Sequence, residues 1–150
     1  MIRWIARVGV VSAFLLAAVF PFARAQLLLE VQLVAAISAE LNPAINFPVG
    51  SFRAVGPGTE TVIARVADAG SWRNWEVYAA QGITASLQPA FVQQVATSFA
   101  LAGFFQSEMS ESQVGNEMHT RYVFSDGSSE MLLYVIRSPQ ELVWMIAESP

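Results

Sequence analysis

Three runs of β-branched and aromatic residues near the end of the chain predict a three-stranded antiparallel meander. The runs read MHTRYVF, EMLLYVIR and ELVWMIA within residues 118–147, and two clusters of turn-forming residues separate them. In the first cluster, Asp126 and Gly127 suit a two-residue hairpin loop, because a type I′ turn needs a positive φ angle at both central positions. An antiparallel sheet is therefore the structure around which the rest of this chain must fold.

The loop lengths predict which side chains share a face of this meander. A two-residue first loop places His119 opposite Tyr134, because directly opposed residues share a face. With residues 138–140 as the second loop, Tyr134 lies opposite Trp144, and the three aromatic rings form one row across the sheet. The other face is then predicted to carry Thr120, Tyr122, Phe124, Met131, Leu133, Val135, Val143 and Met145. Both faces are largely apolar, so each must be covered, or one of them forms an open groove.

The first twenty-five residues have the pattern of an export signal. Arg3 and Arg7 give a positive start, residues 8–22 form an uncharged apolar run, and residues 23–25 supply the small residues of a cleavage site. We expect cleavage before Gln26. The apolar run is shorter than the roughly 20 residues of a membrane span, and no twin arginine precedes it. The pattern therefore predicts the general secretory route, to a periplasm or to the extracellular space.

Residues 26–150 are expected to form a single α+β domain without a transmembrane segment, because this length suffices for one hydrophobic core but not for two. Loss of the three arginines of the signal changes the net charge from −4 to −7, and the chain has no lysine. Nucleic acids and anionic membranes are disfavoured as partners, because binding to them needs clustered positive charge. Cysteine is absent, so packing alone must hold the fold together.

The segments before the meander predict two helices and two or three further strands. Residues 26–41 have apolar side chains three or four positions apart and predict a helix, which either packs in the core or faces a partner. Residues 51–55 predict a short strand. Alternation of side-chain character predicts two more strands, at residues 59–67 and 72–80.

A second helix is predicted after these strands. Ser86 is its expected N-cap, Pro89 lies in its first turn, and Gly103 ends it. The polar, serine-rich residues 106–116 then form either a loop or an exposed edge strand. The whole pattern predicts an α+β fold in which two helices cover an antiparallel sheet made of the C-terminal meander and the two or three N-terminal strands.

One strand of the meander carries the candidate catalytic residues. Glu117, His119 and Arg121 alternate along it and therefore point to one face, where the hydroxyl group of Tyr134 can assist them. They could bind an anion or act as acid and base. Alternatively, they are charged residues that solvate an exposed part of the sheet. The second interpretation is favoured, because nothing in their spacing demands catalysis.

Aromatic side chains are the candidate ligand-binding residues. Trp72 and Trp75 could form a stacking platform for a sugar or an aromatic ligand, or they are a tryptophan pair at the edge of the core. His119, Tyr134 and Trp144 could line a space for a small apolar ligand between a helix and the sheet. The core interpretation of the tryptophan pair is favoured.

Neither a metal site nor a cofactor is predicted. One histidine and no cysteine leave only carboxylates as ligands, and these show no calcium-loop spacing. Schiff-base chemistry needs a lysine, which the chain does not have. The Gly-Pro-Gly sequence at residues 56–58 lacks the lysine and the following helix of a phosphate-binding loop.

Three functions from different classes remain. The favoured one is a non-enzymatic exported domain that binds another envelope or extracellular protein as an adaptor, assembly factor or inhibitor. The second is a carrier or sensor of a small apolar ligand held between helix and sheet. The third is a small hydrolase with His119 as its base, although no G-x-S-x-G sequence accompanies any serine.

Overall fold

Seven strands form one antiparallel sheet in the computed structural model, which describes residues 31–150. The strands are Gln32–Ala35 (β1), Ser51–Val55 (β2), Arg73–Ala80 (β3), Phe105–Val114 (β4), Glu117–Ser125 (β5), Glu130–Arg137 (β6) and Leu142–Glu148 (β7). Two α-helices accompany them, Thr59–Ile63 (α1) and Gln88–Leu101 (α2). Across the sheet the strand order is β1-β2-β3-β7-β6-β5-β4, so β7 lies at the centre and β4 at one edge.

This architecture confirms the predicted antiparallel sheet with two helices, and the C-terminal meander is present as β5, β6 and β7. The strands predicted at residues 51–55 and 72–80 are also confirmed, as β2 and β3. The export signal predicted at residues 1–25 lies outside the described residues.

The helix predicted over residues 26–41 is wrong in the part that the structure describes. Residues 32–35 form β1, which pairs with β2 along its length. Farther along, the backbone N–H groups of Glu40 and Leu41 donate hydrogen bonds to the carboxylate of Glu76. Pairing with the edge of β2 and hydrogen bonding to the buried Glu76 carboxylate thus decide the conformation of this segment. Both outweigh the helical preference that the spacing of its apolar residues indicates. Residues 26–30 lie outside the described part of the chain.

The strand predicted at residues 59–67 is also wrong, because this segment forms α1 and then turns into a short 3-10 helix at Ala69–Ser71. Val62 and Val66 are four positions apart and both are buried, as a helical turn allows. β2 and β3 pair directly with each other, which leaves no edge between them for another strand. The segment therefore lies across a face of the sheet.

The second predicted helix is confirmed as α2. Pro89 lies in its first turn, and Gly103 follows its end with a φ angle of +91°, which a glycine adopts most cheaply. Ser86 is not the N-cap, since it lies within a separate 3-10 helix, Ala85–Leu87. Of the two possibilities for residues 106–116, the edge strand is present, as β4.

The first hairpin loop of the meander has four residues instead of the predicted two. Ser125 pairs with Glu130, and the Asp126 carboxylate accepts hydrogen bonds from the backbone N–H groups of Ser128 and Ser129, each at 2.8 Å. The bond from Ser128 is the largest cause of a pKa for Asp126 lowered to about 2. Local capture of these N–H groups favours the longer loop over a type I′ turn.

The observed loops change the predicted registers in two different ways. The first shift is two residues, so His119 opposes Ile136 and keeps its predicted face. In the second loop, the N–H of Ser138 donates to the carbonyl of Glu141, and the register moves by one residue. This odd shift places Trp144 on the opposite face from Tyr134. The predicted aromatic row is therefore wrong, as is the predicted face of Val143 and Met145.

Each face of the sheet carries its own hydrophobic cluster and is covered. The α1 face is covered by the segment from α1 to Trp72, and the α2 face by α2 together with residues 39–47. Buried residues on the α1 face include Val77, Val123, Leu132, Ile136, Val143 and Met145. Those on the α2 face include Tyr78, Phe99, Phe124, Leu133, Trp144 and Ile146. The two covers divide the protein into three layers.

Substitution of Gly50 by alanine is expected to lower the free energy of unfolding by about 1–3 kcal/mol. Gly50 has a φ angle of +94°, and an added Cβ would lie 3.0 Å from the carbonyl oxygen of Gln81. Gly70→Ala is the matched control, because a Cβ there meets nothing within 4 Å. Urea denaturation of the two variants measures the difference, and equal stabilities would contradict the strain at Gly50.

Candidate functional site

The three charged residues predicted to share a strand face do lie together, on the α1 face of β5. Glu117, His119 and Arg121 alternate along the strand, and the chain between α1 and β3 crosses above them. This crossing segment supplies Arg65 and Asp68, which the sequence did not single out. The result is a network of charged and polar side chains between the segment and the sheet.

The inner half of the network is centred on Glu117. Its Oε2 atom lies 2.5 Å from Arg65 Nη2 and 2.9 Å from His119 Nε2. The other ring nitrogen of His119, Nδ1, lies 2.8 Å from the hydroxyl oxygen of Tyr134. Glu117 is buried, and His119 has only 5% of its surface exposed. The sequence therefore predicted the proximity of this acid, imidazole and hydroxyl group.

The outer half of the network is centred on Arg121. One guanidinium nitrogen lies 2.9 Å from Asp68 Oδ2, and the other lies 3.2 Å from Glu108 Oε2 on β4. The Arg121 guanidinium also lies 5.8 Å from the ring centre of Trp72, whose indole N–H donates to Asp68. Partial burial opposes ionisation of Asp68, but the hydrogen bonds from Trp72 and Arg121 outweigh it and lower the pKa.

A carboxylate, an imidazole and a phenol in series can in principle relay a proton. Here, both ring nitrogens of His119 have partners inside the protein, and burial keeps the ring from a substrate. The bonds instead attach the crossing segment to the sheet, through Arg65 at one end and Asp68 at the other. The arrangement is thus built for holding two layers together.

A second buried acid, Glu141, lies between β6 and β7 near the inner half of the network. Burial is the main cause that raises the pKa of Glu141 to about 8, and the nearby Glu117 carboxylate raises it further. Arg65 acts in the opposite direction. Glu141 consequently holds its proton near neutral pH, unlike an ordinary glutamate.

Glu141→Gln is expected to stabilise the protein at about pH 9 by roughly 2–4 kcal/mol and to leave it unchanged near pH 4. The folded state keeps a proton that the unfolded chain releases above its ordinary pKa of 4.5. The free energy of unfolding of the original protein should therefore fall as pH rises from about 4.5 to about 8. Urea denaturation across this range measures the slope, and a constant difference between the two proteins would contradict the raised pKa.

The candidate ligand-binding aromatics do not converge on one site. His119 and Tyr134 lie on the α1 face, whereas Trp144 is buried on the α2 face. Trp72 and Trp75 pack, half-buried, against the α1-face cluster, as the core interpretation describes. No observation tests whether any of these residues binds a ligand, so that role stays a prediction.

Side chains of the protein itself occupy the space where a carrier would hold its ligand. Phe99 of α2 stacks on Phe124 of the sheet with ring centres 4.4 Å apart. Phe91 of α2 contacts Trp144 at 5.4 Å, and Phe47 contacts the same indole edge to face at 5.5 Å. An open groove of about 390 Å³ lies elsewhere, between residues 46–48 and the side of α2.

A buried acid that the sequence analysis missed, Glu76, organises the α2 face. It accepts hydrogen bonds from the backbone N–H groups of Glu40 and Leu41, at 3.2 and 2.7 Å, and from the hydroxyl of Tyr78 at 2.6 Å. Burial and this bond to Glu76 raise the pKa of Tyr78. An acid within the apolar strand 73–80 was the available signal, since a buried carboxylate requires partners.

Two further structural findings concern cofactors and membranes. Across residues 31–150, the histidine, aspartate and glutamate side chains form no group of three that could coordinate a metal ion. In the same part of the chain, neither α-helix has the length and apolar character required to cross a membrane.

The fold defines a sheet-rich α+β protein. The network of charged and polar side chains links the segment after α1 to the sheet. Comparisons with protein-family models, with curated proteins and with solved structures find no match for this chain.

Proposed function

We propose that this protein is an exported, non-enzymatic domain that binds another envelope or extracellular protein, as an adaptor, assembly factor or inhibitor. The observation that carries the proposal is the burial of His119 with both ring nitrogens bonded internally. The chain has one histidine, and it is the base that a small hydrolase would need. Its engagement in a structural network favours binding over catalysis.

Exposed apolar side chains provide the surface for such binding. Large apolar residues stand in solvent at both ends of β4, at its middle, and at the end of α2. They are Phe105, Met109, Val114 and Leu101. Interfaces between proteins are typically built around apolar residues of this kind, with a polar rim.

The test is affinity capture of envelope and extracellular proteins with three forms of the processed protein, analysed by quantitative mass spectrometry. The forms are the original chain, Met109→Glu on β4 and Leu101→Glu at the end of α2. Both substituted side chains are exposed, so both variants should fold. We expect a partner that the original chain retains and that one of the two variants loses by at least about tenfold.

A catalytic function would give a different result. A hydrolase should cleave ester or peptide substrates at a rate that depends on His119, and His119→Gln should abolish the cleavage. Turnover of this kind, together with the absence of any partner retained by the original chain, would overturn the proposed function. Circular dichroism of His119→Gln controls for loss of the fold.

A further inference from the structure

Among residues 31–150, no strand pairs with the outer edge of β4, which runs for ten residues. β4 pairs with β5 from Phe105, opposite Ser125, to Val114, opposite Glu117, and no strand of residues 31–150 lies on its other side. Every residue of β4 is exposed. An edge strand of this length presents a row of backbone N–H and C=O groups that another extended chain can pair with.

Two acidic side chains of β4 place negative charge on both faces of the sheet at this edge. Glu108 opposes Val123 and so lies on the α1 face, whereas Glu111 opposes Thr120 and lies on the α2 face. Their side chains are 68% and 45% exposed. Arg121 is shared between Glu108 and Asp68, so one negative charge at this position is not neutralised. On the α2 face, Arg137 Nη2 lies 4.0 Å from Glu111 Oε1, the outer limit of an ion pair, and the Glu111 side chain stays 45% exposed. A partner strand with a basic residue on each face therefore complements both exposed acids.

Met109 adds an apolar position between the two acids. It is 50% exposed and opposes Tyr122, which places it on the same face as Glu111. In an antiparallel partner, successive residues would lie opposite Glu111, Ser110, Met109 and Glu108. Antiparallel pairing continues the pattern of the existing sheet and is slightly more stable per residue than parallel pairing.

We propose that β4 binds an extended segment of another protein by antiparallel strand addition, and that this segment reads basic, polar, apolar, basic along its sequence. The inference rests on the proposed function and names the kind of partner. A second copy of this chain fits the edge less well, because two adjacent β4 strands would bring four glutamates to one seam.

The direct test uses a fluorescently labelled peptide of the length of β4, with arginine, serine, valine and arginine at its centre and threonine and valine flanks. Fluorescence anisotropy measures its affinity for the processed protein. Replacing both arginines by glutamate should weaken binding by at least about tenfold. Alternate backbone amides of a paired peptide face β4, and the others face away from it. N-methylation of the amides that face β4 should also weaken binding by at least about tenfold, because those amides can no longer donate hydrogen bonds.

Variants of the protein provide the matched controls. Glu108→Gln combined with Glu111→Gln should weaken the arginine peptide about tenfold and remove most of the salt dependence of binding. Glu60→Gln, at an exposed position of α1, should leave the affinity unchanged. Amide chemical shifts in the presence of the arginine peptide should change along residues 105–114.

Several results would overturn the inference. Equal affinity for the arginine and glutamate peptides, indifference to both methylation sets, or shift changes confined to the groove beside residues 46–48 would each exclude strand addition at β4. Dimerisation of the original chain in light scattering, lost when the β4 peptide-binding edge is blocked by Met109→Glu, would assign the edge to a second copy. A captured partner that survives Met109→Glu but is lost with Leu101→Glu would remove this inference and leave the proposed function intact.

Discussion

Trp144→Ala should lower the free energy of unfolding by about 3–5 kcal/mol, one of the two largest losses expected for a single substitution in this protein. Trp144 is 1% exposed on the central strand β7. Its indole contacts Phe47, Tyr78 and Phe91, with ring centres 5.5, 5.7 and 5.4 Å away. Truncation leaves a cavity at the point where the sheet, α2 and the loop that contains Phe47 meet. Urea denaturation followed by circular dichroism measures the loss.

Trp144→Phe separates ring packing from the indole nitrogen. Trp144 Nε1 is buried and has no hydrogen-bond partner within the described residues, so its removal eliminates an unsatisfied donor. The phenylalanine variant should therefore lose much less stability than the alanine variant, about 1–2 kcal/mol. Equal losses in the two variants would show that the contacts with the neighbouring rings do not stabilise the fold.

Glu76→Ala should lower the free energy of unfolding by about 3–5 kcal/mol, because it removes the buried carboxylate that accepts hydrogen bonds from one buried and two part-buried donors. These donors are the backbone N–H groups of Glu40 and Leu41 and the hydroxyl of Tyr78. The loop after β1 should then detach from the sheet before global unfolding. Hydrogen exchange of the amides of Glu40 and Leu41 should accelerate, and urea denaturation gives the total loss.

Two control variants show how much of the loss in the free energy of unfolding is specific to Glu76. Tyr78→Phe removes one of the three hydrogen bonds to Glu76, together with the 3.4 Å bond that the hydroxyl accepts from the N–H of Glu40, and should cost about 1–2 kcal/mol while the loop stays attached. Glu60→Ala, at an exposed position on α1, should change the free energy of unfolding by less than about 0.5 kcal/mol. A loss for Glu76→Ala no larger than that for Glu60→Ala would contradict the anchoring role.

The two faces of the sheet use buried polar groups in the same way. On the α2 face, Glu76 holds the loop after β1, and on the α1 face, Glu117 and Arg121 hold the segment that follows α1. These residues join layers of the protein, whereas the outer side of β4 has no pairing strand in the part of the chain that the structure describes. In the proposed binding function, the partner is recognised at the edge of β4, and the buried polar groups stabilise the fold that presents this edge.

Patterns within a few neighbouring residues correctly predicted individual strands and one helix. The alternation in residues 72–80, the β-branched and aromatic run at residues 130–137, and the spacing of Phe91, Val95 and Phe99 predict strands and a helix that the structure confirms. The strand predicted at residues 59–67 is wrong, because alternation in so short a segment also fits a helical turn that buries Val62 and Val66.

The candidate site was partly predictable for the same reason. Alternation along one strand places Glu117, His119 and Arg121 on a single face whatever their strand pairs with. Neither Arg65 nor Asp68 could be assigned to this site, because they reach it from a segment more than fifty positions away in the chain. Their presence turns a set of candidate reactive groups into a network that joins two layers and buries Glu117 and His119.

Sequence alone determined the antiparallel meander, the second helix and the shared face of the charged residues, because period-two alternation, helical spacing and turn chemistry act over a few neighbouring positions. Only the tertiary structure decided the hairpin registers, the burial of His119 and the conversion of residues 32–35 into an edge strand. These features depend on which sheet edges, faces and buried acceptors other segments provide, and a one-residue difference in the loop before β7 was enough to move Trp144 to the other side of the sheet.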